Sequence, residues 1–269
     1  SPGEPAGIGP DLIIKLSASN MWENFKIPIV TIGDPNLFLD RAKKLKKKIK
    51  VIELNSINEV KKNKKAYLQI IKVSKCKNTS PGKLTKLNAN YVLDVLDYAI
   101  KQTISDKCAA LVTGPLNKET IISIDKKFTG HTEYIQKITR SKDVLMMLAS
   151  NKLKVALATT HIPLKMVSKN ITKELIVNKV QILNKDLKNK FNIKKPNIKV
   201  LGLNPHAGEN GKIGNEELQY IKPAIKILRK SKINVSMPIS ADTAFSEKIL
   251  KETDAYLGMY HDQVLPVLK

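Results

Sequence analysis

Arginine is scarce in this chain. Only Arg41, Arg140 and Arg229 occur in 269 residues, although Lys and Arg together number 47 against 24 acidic residues, for a formal net charge of +23. An excess of this size raises nucleic-acid or anionic-membrane binding as a function. Base readout, however, leans on the forked guanidinium. Aromatic residues, which give bases a stacking platform, make up only 5% of the chain. The lysines keep company with abundant Asn and Ile, so the excess reads as a chain-wide bias carried on solvated faces. The densest run, Lys43 to Lys50, reads as a helix end followed by a sheet edge. No nucleic-acid partner is expected, and a lysine-rich nucleic-acid-binding protein is kept as the remote alternative. A positive field still attracts phosphorylated small molecules.

Cysteine is also nearly absent. Cys76 and Cys108 give neither a metal-type spacing nor a disulfide framework, which fits a reducing cytoplasm. No run of about 18 apolar residues exists, so no transmembrane helix and no membrane partner are expected. Ser1 to Pro10 lacks the basic-then-apolar order of a secretory signal. The length and the 42% hydrophobic content suit one large or two modest globular domains.

What is present is an alternation of apolar runs and helical patterns. Strands are expected at 27–33, 49–54, 67–73, 109–113, 144–149, 154–160, 197–203, 233–236 and 254–259. Several are continuous apolar runs, as in strands buried on both faces. Asp34-Pro35 offers an N-cap and a proline at the first helical position, opening a helix that ends in lysines. Residues 11–16, 88–105, 172–190 and 216–230 also read as helices. The alternation predicts an α/β fold with a largely parallel sheet.

The four histidines are the most informative residues. His161, His206 and His261 each stand just past the carboxyl end of an expected strand, the edge where open α/β sheets bind ligands. Three imidazoles presented to one crevice would make a catalytic metal arrangement with positions open for water or substrate. Imidazole suits zinc, cobalt or iron better than magnesium. The alternative is that each ring separately caps a loop or helix. Asp242, in Ser240-Ala241-Asp242-Thr243, is read as the N-cap of a helix over 243–250, with a place beside the metal as the alternative.

The fourth histidine lies in Gly130-His131-Thr132-Glu133-Tyr134. Thr132 is placed to cap the following helix, whose N-terminus would face an anion; an ordinary capped turn is the alternative. Gly3-Glu4-Pro5-Ala6-Gly7-Ile8-Gly9-Pro10 lacks the third glycine of a Rossmann fingerprint, since position 12 is Leu12, so it is a weak dinucleotide signal. Thr113-Gly114-Pro115-Leu116-Asn117-Lys118 puts Asn117 and Lys118 at another carboxyl strand end.

Taken in order, Gly3–Pro10, Thr113–Lys118, Gly130–Tyr134, His161-Ile162-Pro163-Leu164, Asn204–Glu209, Ser240–Phe245 and Tyr260–Lys269 resemble the 4-hydroxythreonine-4-phosphate dehydrogenase family of vitamin B6 biosynthesis. The resemblance runs over essentially the whole chain. It implies the two-domain α/β/α fold of isocitrate and isopropylmalate dehydrogenases, and a homodimer with a shared active site. It also implies one divalent metal, zinc, cobalt or magnesium, on His161, His206 and His261. Substrate contacts would come from His131, Thr132 and Lys269, with no catalytic residue assigned separately. NAD, or NADP, would accept hydride from 4-phosphohydroxy-L-threonine, and loss of carbon dioxide would give 3-amino-2-oxopropyl phosphate. A dehydrogenase of 4-phosphorylated threonate or erythronate is the alternative within the family. In this scheme residues 1–125 form the first domain, continued by 250–269, and residues 126–249 form the second.

Members of that family begin with a strand ahead of Gly3–Pro10 and continue several tens of residues past Lys269. The resemblance therefore implies that this chain is truncated at both ends. Most of the cofactor site would then lie in the C-terminal part beyond it.

Overall fold

The computed structural model describes every residue except Asn78 and Lys269. The chain divides into two compact units, Ser1–Lys142 and Asp143–Lys269. Each has its own sheet, all parallel in the first and largely parallel in the second, in keeping with the expected α/β class.

In the first unit, helices α1 (Gly9–Ser17) and α2 (Met21–Asn24) lead into β1 (Thr31–Ile32), α3 (Pro35–Lys44), β2 (Lys50–Leu54) and β3 (Tyr67–Ile71). The sheet order is β1-β3-β2, all parallel. The start of α3 follows the chemistry of its sequence. The Asp34 side chain accepts the Asn36 N–H at 3.1 Å, and Pro35 occupies the first helical position, where its missing N–H costs nothing. Arg41 of α3 is buried and pairs with Asp11 of α1, while also donating to the Gly7 carbonyl. Helix α4 (Ala89–Ile104) buries Tyr91, Val92, Val95, Leu96, Ala99 and Ile100, the i, i+3, i+4 face of an amphipathic helix. Helices α5 (Lys118–Ile122) and α6 (His131–Thr139) complete the unit.

Residues 109–113 do not join this sheet. Val112 is 80% exposed, and the backbone here bonds to the first residue of the chain. Val112 accepts from the Ser1 ammonium at 2.9 Å, and Gly114 donates to the Ser1 carbonyl at 2.8 Å. The apolar run Ala109–Val112 looks like a buried strand, but Ala109, Ala110 and Val112 are exposed and the Val112 carbonyl bonds to Ser1 rather than to a sheet neighbour.

The second unit has β4 (Met147–Ala149), β5 (Lys154–Leu157), α7 (Leu164–Asn170), α8 (Lys173–Phe191), β6 (Ile198–Val200), α9 (Lys222–Lys230), α10 (Glu247–Lys251), β7 (Ala255–Gly258) and α11 (His261–Leu268). The order is β4-β5-β7-β6, with β4 antiparallel at the edge and the other three parallel. Thr172 caps α8 by accepting the Leu175 N–H at 3.1 Å. Helices α8 and α9 bury Ile176, Val180, Leu183, Leu187, Ala224, Ile225 and Leu228 in one core with Ile198, Val200, Ala255 and Leu257.

Three expectations are corrected here. The helix expected over 216–230 is a π turn, Glu217–Ile221, passing into α9; Pro223 at the junction has no N–H to return to Gln219. Residues 233–236 touch the sheet through one isolated bridge, at Val235, and a second bridge at Ile239 follows only after Pro238, which has no donor for a ladder. Residues 250–269 belong to the second unit, not the first, because β7 lies between β5 and β6 and pairs with both. Among the described residues, no helix is long and apolar enough to cross a membrane.

Candidate active site

The strand order β5-β7-β6 puts the segments that carry the three histidines at the carboxyl ends of adjacent parallel strands. Pairing of β5 with β7 continues past the formal strands. Ala158 donates to Gly258 at 2.8 Å, Thr159 donates to Met259 at 3.1 Å, and the Thr159 hydroxyl donates to the same carbonyl at 2.6 Å. His161 and His261 thus leave the sheet side by side, with ring centroids 5.8 Å apart and planes inclined at 53°. The Gln263 side chain ties the His261 turn to the β6 end. Its Oε1 accepts the Met259 N–H at 2.7 Å, and its Nε2 donates to Gly202 at 2.6 Å.

The first turn of α11 also brings Asp262 to His261, with Nδ1 and Oδ1 2.6 Å apart. A carboxylate at one ring nitrogen fixes the tautomer and leaves Nε2 as the free donor atom, a usual arrangement behind metal-binding imidazoles. His206 has Asp242 in the same relation at longer range, with Nδ1 3.6 Å from Oδ2. Asp242 does not cap a helix over 243–250 as expected. Residues 241–245 form turns, and α10 starts only at Glu247, after Ser246.

His206 sits on an unusual loop. His206, Ala207, Gly208, Glu209 and Asn210 all have positive φ, between 41° and 79°. Left-handed backbone is costly for residues with a Cβ and persists where surrounding structure over-determines it. The support is Glu217, which is fully buried. Its carboxylate accepts the backbone N–H groups of Leu203 at 2.7 Å and Asn204 at 2.8 Å, and the Asn204 side-chain amide at 2.9 Å. Sequence reasoning missed Glu217. The available signal was a carboxylate on the apolar face of the helical pattern, four residues before Ile221 and seven before Ala224.

In the first unit, Gly130 is the N-cap of α6, and His131 is its first residue. Thr132 therefore lies exposed inside the first turn and does not cap the helix. The His131 Nε2 is buried with no hydrogen-bond partner. Burial holds its pKa below the ordinary histidine value, which favours the neutral ring. Lys118 lies close by, since a Cβ on Gly130 would stand 3.5 Å from its Cε. Asn117, expected near the ligand, instead caps α5 by accepting the Thr120 N–H at 2.9 Å. Lys269, the third expected substrate contact, lies outside the described residues.

Among the described residues, no three of His, Cys, Asp and Glu already converge closely enough to hold an ion. The donor set nonetheless fits a borderline-soft divalent metal in kind. Two imidazoles are adjacent, the third lies at the end of the neighbouring strand, and carboxylates stand behind His261 and His206.

Residues 24–269 match the family described as pyridoxal phosphate biosynthetic protein PdxA. A 4-hydroxythreonine-4-phosphate dehydrogenase of Pseudoalteromonas translucida is 45% identical over 269 residues, covering 100% of this chain and 80% of the relative. The crystal structure of the Klebsiella pneumoniae 4-hydroxythreonine-4-phosphate dehydrogenase superposes with a TM-score of 0.91 at 29% identity, over 99% of this chain and 80% of the other. That from Burkholderia phymatum gives 0.90 at 29% identity, over 99% and 81%. On these matches, and on an α/β fold shared over nearly its whole length, the chain belongs to the PdxA family of pyridoxal phosphate biosynthetic proteins.

Proposed function

We propose that this protein is an oxidoreductase that acts on 4-phosphohydroxy-L-threonine in pyridoxal phosphate biosynthesis, using NAD or NADP and a divalent metal. The observation that carries the reading is the placement of three histidines at the carboxyl ends of three adjacent parallel strands. His161, His206 and His261 would hold the ion; zinc and cobalt suit imidazole better than magnesium does. When bound, the ion supplies Lewis acidity at the secondary hydroxyl and at the charge released on decarboxylation, and the nicotinamide accepts the hydride.

The chain's own residues bind and orient. Asp262 holds the His261 ring so that Nε2 is presented. His131 offers a buried, unpartnered Nε2 at the start of a nine-residue helix, where N–H groups and the helix dipole favour an anion. With Thr132 in the same turn, this would receive an anionic group of the substrate. Lys269 is assigned to the substrate by resemblance. The chain's positive charge raises the local concentration of a phosphorylated substrate. In this reading the enzyme is a cytoplasmic homodimer that shares its active site at the interface. Two free thiols suit a reducing compartment, and light scattering that showed only monomer would contradict the dimer.

The test is to incubate the purified protein, expressed from its complete gene, with NAD or NADP and 4-phosphohydroxy-L-threonine, before and after chelation. Nicotinamide reduction that is abolished by chelator and restored by zinc or cobalt is expected. Reduction indifferent to chelator would overturn the metal assignment, and no reduction with either cofactor would overturn the activity.

A further inference from the structure

We propose that Glu217 is a positioning residue that sets metal affinity by holding the His206 loop. The proposal rests on the reading of His206 as a ligand and goes beyond it, because Glu217 itself is no ligand.

The geometry is that of a clamp. The Glu217 carboxylate is fully buried and takes three N–H donors, all from Leu203 and Asn204, the residues that leave β6 just before Pro205-His206. The Asn204 amide also donates to Glu216 at 2.8 Å, so the loop's start is tied to two consecutive carboxylates. The far side of the loop folds back on the same group. Gly208, with φ of +79°, passes so near that a Cβ would lie 2.6 Å from the Glu217 Oε2. Between these fixed points lie His206 and Ala207, the first two of five consecutive residues with left-handed backbone, His206–Asn210. Such a run does not hold itself; each non-glycine member costs energy that the surroundings must supply. Glu217 sits at the first residue of a π turn, a wide turn frequent at functional sites.

A buried carboxylate with three donors would also serve mere stability, so the test must separate the two roles. Cobalt(II) alone is titrated into chelator-stripped protein and followed by its visible absorption band and by dissociation constant. Glu217→Gln keeps the side-chain size but sets an amide donor against the Asn204 donor. The expected result is a dissociation constant raised roughly 10- to 100-fold, with the band altered in the same sense as in His206→Ala. Leu228→Ala, a buried core change in α9, is the control. It should lower the melting temperature and leave cobalt affinity and band unchanged. Should Glu217→Gln fail to fold, Asn204→Ala removes one donor of the clamp and should weaken cobalt in the same direction. Glu217→Gln, or Asn204→Ala in its place, with wild-type cobalt affinity and band would overturn the clamp alone. Wild-type protein without a cobalt band, or His206→Ala binding as wild type, would overturn the ligand reading and the clamp together.

Discussion

The His261 Nδ1 and the Asp262 carboxylate are 2.6 Å apart on consecutive residues at the start of α11. The pair fixes which ring nitrogen faces outward, next to the His161 ring 5.8 Å away. Neutral imidazole binds metal through the nitrogen that its neighbour leaves free. Asp262→Ala should therefore weaken divalent-metal binding by roughly 10- to 100-fold while the fold is retained. Equilibrium dialysis against zinc, with circular dichroism as the control for folding, measures this. Unchanged affinity would remove Asp262 from the site.

His131 gives a pH prediction. Burial lowers its folded-state pKa below the ordinary histidine value. The sign follows from proton counting: below the unfolded pKa, the unfolded chain binds a proton that the folded chain resists, so stability falls as the pH falls through that window. Above it the group contributes nothing to the pH dependence. NMR titration of the ring should show a pKa below that of a free histidine. His131→Gln should flatten the loss of stability on the acid side of neutrality. An unshifted ring pKa would contradict the burial.

The Thr172 cap offers a local check on the second unit. Its hydroxyl accepts from Leu175 at the start of α8, the nineteen-residue helix that packs on the sheet. Thr172→Ala should cost about 1 kcal/mol, seen as a lower denaturation midpoint with metal binding intact. Thr172→Ser should recover most of the loss.

Much of this was legible in the sequence, for identifiable reasons. Asp34-Pro35 and Thr172 mark helix starts because capping and the proline constraint are local. The α/β class and the strand-end placement of His161, His206 and His261 follow from alternating runs. Residues 109–113 were misread because an apolar run does not reveal which backbone groups it bonds. Residues 250–269 were misplaced because strand order is set by pairing between distant segments, and β7 enters between β5 and β6. Asp242 reads as a cap from its neighbours alone, yet it faces His206 across a gap of 36 residues in sequence. Glu217 escaped notice because its partners, the N–H groups of Leu203 and Asn204, carry no signature in residue type.

The most direct test of the central claim is the stoichiometry of bound zinc or cobalt in protein purified without chelator, for wild type and for His161→Ala, His206→Ala and His261→Ala. The account predicts about one ion per chain in the wild type and loss of most of it in each variant, with all three variants folded. Full metal content in any one of the folded variants would contradict the three-histidine site.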